Sequence, residues 1–176
     1  IDFADVVERV NPAVVNIEAT TRASEPRRRR SGPQLPEPPD LFEVPKEFSR
    51  GDQSGARRGT GSGIIIDADG SIITNHHVID RAERISVKLS DGRTLRAEVV
   101  GTDPDSDIAL LHVDGQVGLP VAPVGESSSL RMGEWVCAIG NPLGYEHSVT
   151  VGVVSYLGRK LFDASLDDYI QTDAAI

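Results

Sequence analysis

The sequence predicts an all-β fold, either an antiparallel sandwich or a barrel, with a short helix at its start. Two observations favour this fold class: short runs of β-branched and aliphatic residues recur at even spacing after position 63, and turn residues separate them. Such a pattern is typical of sandwiches and barrels. The chain of 176 residues is about one domain by length and can bury a substantial core.

The chain opens with a predicted helix followed by a strand. Asp2 is a candidate cap, and the next apolar residues fall at helical spacing on one face: Phe3, Val6, Val7 and Val10. Pro12 lacks a backbone N–H, so Asn11-Pro12 ends this helix. The run Val14-Val15-Asn16-Ile17 then predicts the first strand.

A long polar segment separates this strand from the next one. Between positions 20 and 60 the chain has six of its eleven prolines and a basic run, Arg27-Arg28-Arg29-Arg30. This composition cannot form a core, and loops of this length are uncommon inside compact domains. We expect a long loop at 20–60 that is either functional or disordered.

The remainder predicts strands almost without interruption. Residues 64–66 and 72–73 form a predicted hairpin around the turn at 67–70, and a second hairpin turns at Asp91-Gly92. Further strands are predicted at 108–113, 135–139 and 149–156. Pro120 and Pro123, each near a glycine, predict a linker, which divides the chain into a first unit at 1–117 and a second at 118–176.

Composition excludes several classes of function. The net charge is −9, with 27 acidic against 18 basic residues, so nucleic acid is a poor partner. No apolar run approaches the roughly 18 residues of a membrane span. The single cysteine, Cys137, rules out an internal disulfide and a CxxC zinc cluster. We therefore predict no metal and no cofactor.

Two adjacent histidines, His76 and His77, are the first candidates for chemistry. Neighbouring side chains diverge on a strand or a helix, so the two rings cannot readily chelate one ion. Acid–base catalysis remains, and it needs an acceptor that holds the imidazole in one tautomer. Three carboxylates follow: Asp103, Asp105 and Asp107. By composition alone, a histidine here is more often a surface or packed residue.

Five segments together resemble the Deg/HtrA family of trypsin-like serine endopeptidases, which act in protein quality control. They occur in the family's order and span most of the chain outside the long loop: residues 61–66, 73–79, 105–111, 138–144 and 169–176. The resemblance implies a trypsin-like double β-barrel. The second barrel is expected to be incomplete in this chain.

The resemblance also selects the candidate catalytic residues. The family's histidine directly precedes the valine of the Thr-Asn-x-His-Val run, which implies His77; His76 stands where asparagine is more usual. The family's aspartate precedes Ile-Ala-Leu, which implies Asp107. Asp103 and Asp105 then read as a solvated turn. Asp107 is expected to bond one nitrogen of His77 and leave the other free for proton transfer.

The nucleophile is expected beyond residue 176. In the family, the serine lies in a Gly-Asn-Ser-Gly-Gly run shortly after Asp-Ala-Ala-Ile, and this chain ends at Ile176. No serine of the chain occupies that position, so the chain alone is expected to be inactive. The alternative is a protease-like barrel that lacks a nucleophile and acts as a chaperone or binding module.

The resemblance implies a biological setting as well. It implies ATP-independent degradation of unfolded or damaged proteins by a homo-trimer or higher homo-oligomer. PDZ domains are expected downstream of the barrels. The implied location is the periplasm of a bacterial cell envelope, with an organelle as the alternative.

Overall fold

The computed structural model describes residues 2–21, 57–115, 118–140, 148–159 and 168–175. The predicted loop at 20–60 is too wide, because residues 20–21 and 57–60 belong to strands; its remaining residues, 22–56, lie outside these ranges, as do residues 141–147. The described elements are two short α-helices, α1 (Ala4–Val10) and α2 (His76–Ile79), and nine strands: β1 (Val14–Thr21), β2 (Arg57–Ile65), β3 (Ser71–Asn75), β4 (Arg84–Lys88), β5 (Thr94–Asp103), β6 (Ile108–His112), β7 (Trp135–Gly140), β8 (Ser148–Arg159) and β9 (Tyr169–Thr172).

The first six strands form a closed antiparallel barrel in the order β1-β2-β3-β6-β5-β4, and β4 pairs with β1 to close it. Strands β7, β8 and β9 form a separate three-stranded sheet. The predicted all-β class with a short N-terminal helix is therefore confirmed, and the first unit is a barrel rather than a sandwich.

The barrel is held together by aliphatic side chains that alternate inward from every strand. Its interior is almost fully closed to water, and the residues with the least exposure are Val15, Ile17, Ile65, Ile72, Val87, Leu111 and Val113. Burying one such side chain contributes roughly 1.5–3 kcal/mol. Ala97 adds a buried side chain from β5, so all six strands contribute to the core, and the core fixes their relative positions.

The turn between β2 and β3 closes one end of the barrel. The Asp67 carboxylate accepts hydrogen bonds from the backbone N–H groups of Asp69, Gly70 and Ser71 at 2.9–3.0 Å. Gly70 has a φ of +117°, and a Cβ there would lie 2.4 Å from the carbonyl oxygen of Val113. Glycine is thus required by both conformation and space.

The N-terminal helix and the second sheet also meet. The N-cap of α1 is Phe3, which makes no side-chain cap hydrogen bond, so the predicted cap at Asp2 is one residue too early; the Asp2 carboxylate accepts the Ala4 N–H at 2.9 Å. The ring of Phe3 packs against Trp135 of β7 with 6.4 Å between ring centroids. Among the described residues, no helix has the length and apolar character needed to cross a membrane.

The segment predicted as a linker contacts the first barrel. Leu119 and Ala122 are buried and belong to the barrel's apolar core, and Ala122 donates a backbone hydrogen bond to Ile65 at 3.0 Å. Residues 116–117, beside the predicted unit boundary, lie outside the described ranges. The chain therefore packs against the barrel core at Leu119 and Ala122 before it enters β7.

Candidate active site

Two strand ends meet at the end of the barrel opposite the Asp67 turn. Strands β3 and β6 pair antiparallel, with Asn75 opposite Ile108. The residue before β6 is Asp107, and the residues after β3 begin α2, which carries the two histidines. The register of this one strand pair therefore brings Asp107 beside His76 and His77, although 30 residues separate Asp107 from His77 in sequence.

Asp107 occupies a conformation that few residues adopt. Its φ is +55°, in the left-handed region where aspartate and asparagine are better tolerated than most residues. The preceding turn is held by Asp103, whose carboxylate accepts the Asp105 N–H at 3.1 Å and the Ser106 hydroxyl at 2.7 Å. Both Asp103 and Asp105 are exposed. The turn thus presents Asp107 to α2.

The His77 ring is bonded to the Asp107 carboxylate. The distance from His77 Nδ1 to Asp107 Oδ2 is 2.6 Å. The other carboxylate oxygen, Oδ1, accepts the backbone N–H of His77 at 2.9 Å, and the Asp107 carbonyl accepts the N–H of His76 at 3.0 Å. Asp107 therefore satisfies the first two free N–H groups of α2 and orients the ring at once.

Asn75 is a contributor that the sequence analysis did not identify. Its side-chain Nδ2 donates to Asp107 Oδ2 at 3.1 Å and to the Asp107 carbonyl at 3.2 Å. The available signal was its place in the Thr-Asn-x-His-Val run. The Asn75 amide thus gives Asp107 Oδ2 a second side-chain donor beside His77 Nδ1.

These contacts lower the pKa of Asp107. Partial burial of its carboxyl is the largest influence and by itself raises the pKa. The hydrogen bonds from the His77 backbone and ring, the charge of a protonated His77 and the Asn75 amide together outweigh it, so the pKa lies below the ordinary value of 3.8. Asp107 is therefore an anion at neutral pH.

An ionised Asp107 determines which nitrogen of His77 carries the proton. A carboxylate only accepts hydrogen bonds, so the proton of the neutral ring lies on Nδ1 and the lone pair on Nε2. The His77 side chain is 71% exposed, against 34% for Asp107. Within the described ranges, no hydrogen-bond partner of Nε2 is present. The ring can therefore take a proton from a group that approaches from solvent.

Other candidate residues lie elsewhere. His76 is half-buried in α2, and His112, at the far end of β6, contacts Asp114 at 3.3 Å. Ser127–Ser129 form a 3₁₀ turn, and Ser155 lies within β8. In the described part of the chain, no group of three or more His, Cys, Asp or Glu side chains is arranged to hold a metal ion.

Comparisons with known proteins identify the family. The family described as "Trypsin-like peptidase domain" matches residues 61–176. A probable periplasmic serine endoprotease, DegP-like, of Pseudomonas fluorescens is 46% identical over 185 aligned positions, which cover 99% of this chain and 38% of the relative. A protein of the same description from Marinomonas sp. is 42% identical, with 99% and 39% covered.

Solved structures give the same result. The HtrA-type protease AlgW with decapeptide superposes with a TM-score of 0.73 at 36% identity, covering 100% of this chain and 52% of that one. The same protease with tripeptide gives a TM-score of 0.76 at 33% identity, covering 100% and 47%.

This chain thus spans well under half the length of its curated relatives, 38% of the Pseudomonas fluorescens protein. The family match nevertheless covers residues 61–176, and the alignment with that relative covers 99% of the chain. The chain belongs to the Deg/HtrA-type family of trypsin-like serine endopeptidases.

Proposed function

We propose that this chain supplies the histidine and aspartate of an ATP-independent serine endopeptidase that degrades unfolded or damaged proteins. The observation that carries the proposal is the 2.6 Å contact between His77 Nδ1 and Asp107 Oδ2 in a ring that is 71% exposed. A ring closed off from solvent on all sides could not reach a substrate. An exposed ring with a fixed tautomer can exchange protons with a substrate.

In this mechanism a serine beyond residue 176 is the nucleophile. His77 Nε2 takes the serine proton as the oxygen attacks the scissile carbonyl, and the ring then gives that proton to the departing amine. Water, deprotonated by the same nitrogen, releases the acyl group and regenerates the serine. Asp107 holds the tautomer and stabilises the imidazolium, and Asn75 steadies the carboxylate.

The proposed setting follows the relatives. They are named periplasmic endoproteases, which supports a periplasmic location, and the AlgW structures carry peptides, which supports a polypeptide substrate. We divide the chain into a first unit at 1–117 and a part of a second barrel at 118–176. The additional length of the relatives leaves room for the rest of that barrel and for PDZ domains, and we propose a homo-trimer or larger assembly.

Two substitutions of the same kind test the assignment of His77. In the full-length protein, His77→Ala should lower cleavage of a fluorescently labelled unfolded protein by at least about 10⁴-fold, because the general base is lost. His76→Ala should change it by less than about threefold. If His76→Ala is the inactive variant, the wrong imidazole is assigned.

The alternative, a binding module without a nucleophile, is separated by covalent labelling. A fluorophosphonate reagent should label one serine after residue 176 in the wild type and label it much more slowly in His77→Ala. A full-length protein that binds unfolded chains but is neither labelled nor hydrolytic would exclude the endopeptidase.

A further inference from the structure

The residue after His77 packs onto a strand that has no side chain at the point of contact. A Cβ built on Gly61 of β2 would lie 2.6 Å from Cγ2 and 2.9 Å from Cγ1 of Val78. It would also lie 3.3 Å from the Cβ of Val78. Carbon atoms in van der Waals contact are about 3.5–4.0 Å apart. Any side chain at position 61 therefore occupies space that Val78 fills.

Space, not backbone conformation, requires glycine at this position. Gly61 is not among the residues with positive φ, so its backbone suits other amino acids. Val78 cannot escape by rotation, because both methyl carbons and the Cβ are too close at once, and a valine in a helix has one strongly preferred rotamer. Gly59 of the same strand also lies close to Val78: a Cβ built on Gly59 would lie 3.0 Å from the backbone carbonyl oxygen of Val78.

The strand below Val78 is firmly held. The Gly61 carbonyl accepts the side-chain N–H of Asn16 at 3.4 Å, and the Ser62 carbonyl accepts the hydroxyl of Thr74 at 2.8 Å. Asn16 and Thr74 are both buried, and β2 pairs with β1 on one side and β3 on the other. A clash at Gly61 would therefore move α2 rather than β2.

α2 is the element that can yield. It has four residues, His76–Ile79, and its start is held by hydrogen bonds to Asp107. A side chain at position 61 would push Val78 away from β2 and would shift His77, one residue earlier. The hydrogen bonds from the backbone and the ring of His77 to the Asp107 carboxylate would then lengthen.

We propose that Gly61 is a positioning residue for His77: the missing side chain sets how closely α2 lies on β2, and hence where the imidazole meets Asp107. This inference rests on the proposed endopeptidase function. Gly61 touches neither His77 nor the reacting atoms, so it acts through Val78.

The expected effect of Gly61→Ala is on the chemical step. A misplacement of about 1 Å costs roughly 100-fold in rate, so a partial shift of His77 should lower kcat by roughly 10- to 100-fold. KM should change by less than about twofold, because substrate contacts are not altered. The matched control is Gly101→Ala in β5 of the same barrel, where a Cβ meets nothing within 4 Å; its kcat should stay within about twofold of the wild type.

The compensating change provides the decisive comparison in the full-length protein. Gly61→Ala combined with Val78→Ala should recover at least about tenfold in kcat over Gly61→Ala, because the new methyl group enters the space that Val78 leaves. The low-field proton resonance of the His77–Asp107 hydrogen bond should be shifted in Gly61→Ala and return in the double variant. A merely structural role would lower the folded fraction without moving this resonance in the folded protein.

The outcomes separate this inference from the proposed function. A wild-type protein with no hydrolysis would refute the endopeptidase itself. If the wild type is active and His77→Ala is inactive, but Gly61→Ala has normal kcat, the positioning role of Gly61 is refuted. If Gly61→Ala does not fold, the Gly61→Ala/Val78→Ala double variant is compared with Val78→Ala alone. We expect the two to have similar kcat. A double variant that folds but has a kcat at least 100-fold lower than Val78→Ala would overturn the proposal.

Discussion

The closed barrel and the three-stranded sheet differ sharply in how much they bury. Every strand of the barrel contributes side chains to one apolar core, from Ile17 in β1 to Leu111 in β6. In the described part of the second sheet, the buried apolar residues are Val154 and Ala174. Several large apolar side chains there are exposed by about 40–50%: Val149, Val151, Tyr156, Tyr169 and Ile170.

This difference shows where the site obtains its precision. Asn75 ends β3, His77 lies in α2 directly after it and Asp107 directly precedes β6, so the bonds among them run between the ends of β3 and β6. The geometry of the pair therefore depends on a core that the barrel completes by itself. Side chains held next to the ends of packed strands keep their distances more precisely than side chains on long loops do.

The largest expected effect tests whether the barrel's own pair performs the chemistry. Asp107→Asn in the full-length protein should lower kcat for an unfolded substrate by roughly 10⁴-fold, because an amide can donate to Nδ1 and so favours the wrong tautomer of His77. Steady-state hydrolysis measures this loss. Asp105→Asn is the control, because it makes the same change in charge nearby, and it should remain active. A loss below tenfold in Asp107→Asn would show that Asp107 is not a member of the proposed triad.

The next largest effect compares the two cores directly. Ile72, in β3, is fully buried, and Ile170, in β9, is 43% exposed. Ile72→Ala should lower the free energy of unfolding by about 2–5 kcal/mol, because it leaves a cavity, and Ile170→Ala by about 0.5 kcal/mol or less. Urea unfolding, with amide hydrogen exchange in each sheet, measures both. Both changes are made in the chain of residues 1–176, and equal losses there would contradict the difference in burial between the two sheets.

A smaller effect is expected where the turn before β6 presents Asp107. Asp103→Ala removes the acceptor of the Asp105 N–H and the Ser106 hydroxyl. The turn should therefore fix the left-handed conformation of Asp107 less tightly. We expect a loss in kcat of roughly three- to tenfold, since the carboxylate of Asp107 is still bonded by His77 and Asn75. Ser106→Ala removes one of the two bonds and should have less effect. A wild-type kcat in Asp103→Ala would show that the barrel strands alone fix Asp107.

The smallest effect concerns pH. The folded-state pKa of Asp107 lies below 3.8, so its ionised form stabilises the fold above about pH 4, and this contribution is lost as the pH falls through the folded pKa. Stability measured between pH 5 and 3 should therefore fall less steeply in Asp107→Asn than in the wild type. An equal slope in both proteins would contradict the lowered pKa. Titration of the Asp107 carboxyl carbon by NMR gives the same answer directly.

Local patterns in the sequence predicted the strands because side chains alternate along a strand whatever it pairs with. Ile85 and Val87 are buried, as their alternation with polar residues predicts, and Asp91-Gly92 forms the turn after them. Val99 departs from this alternation: it is 47% exposed, and the register between β5 and β6 shifts directly after it, between Val99 and Gly101. The pairing of β1 with β4, which closes the barrel, has no local signal at all.

The site was only partly accessible to the same reasoning. The resemblance selected His77 and Asp107 from their neighbours in sequence, and the structure brings the two within hydrogen-bonding distance. Their catalytic roles remain predictions. Asn75 and Gly61 could not be assigned from composition or spacing, because their contributions exist only after β3 has paired with β6 and α2 has packed on β2.

The pairing of β1 with β2 has a consequence for how this barrel tolerates variation. Thr21 and Arg57 are opposite each other in the ladder, so the chain departs and returns at neighbouring points on one rim. Doubling the length of a flexible connection between two such points costs only about 0.6 kcal/mol in loop-closure entropy. A change in the length of the connection between Thr21 and Arg57 therefore costs the barrel little, and it leaves the ends of β3 and β6, where His77 and Asp107 meet, unchanged.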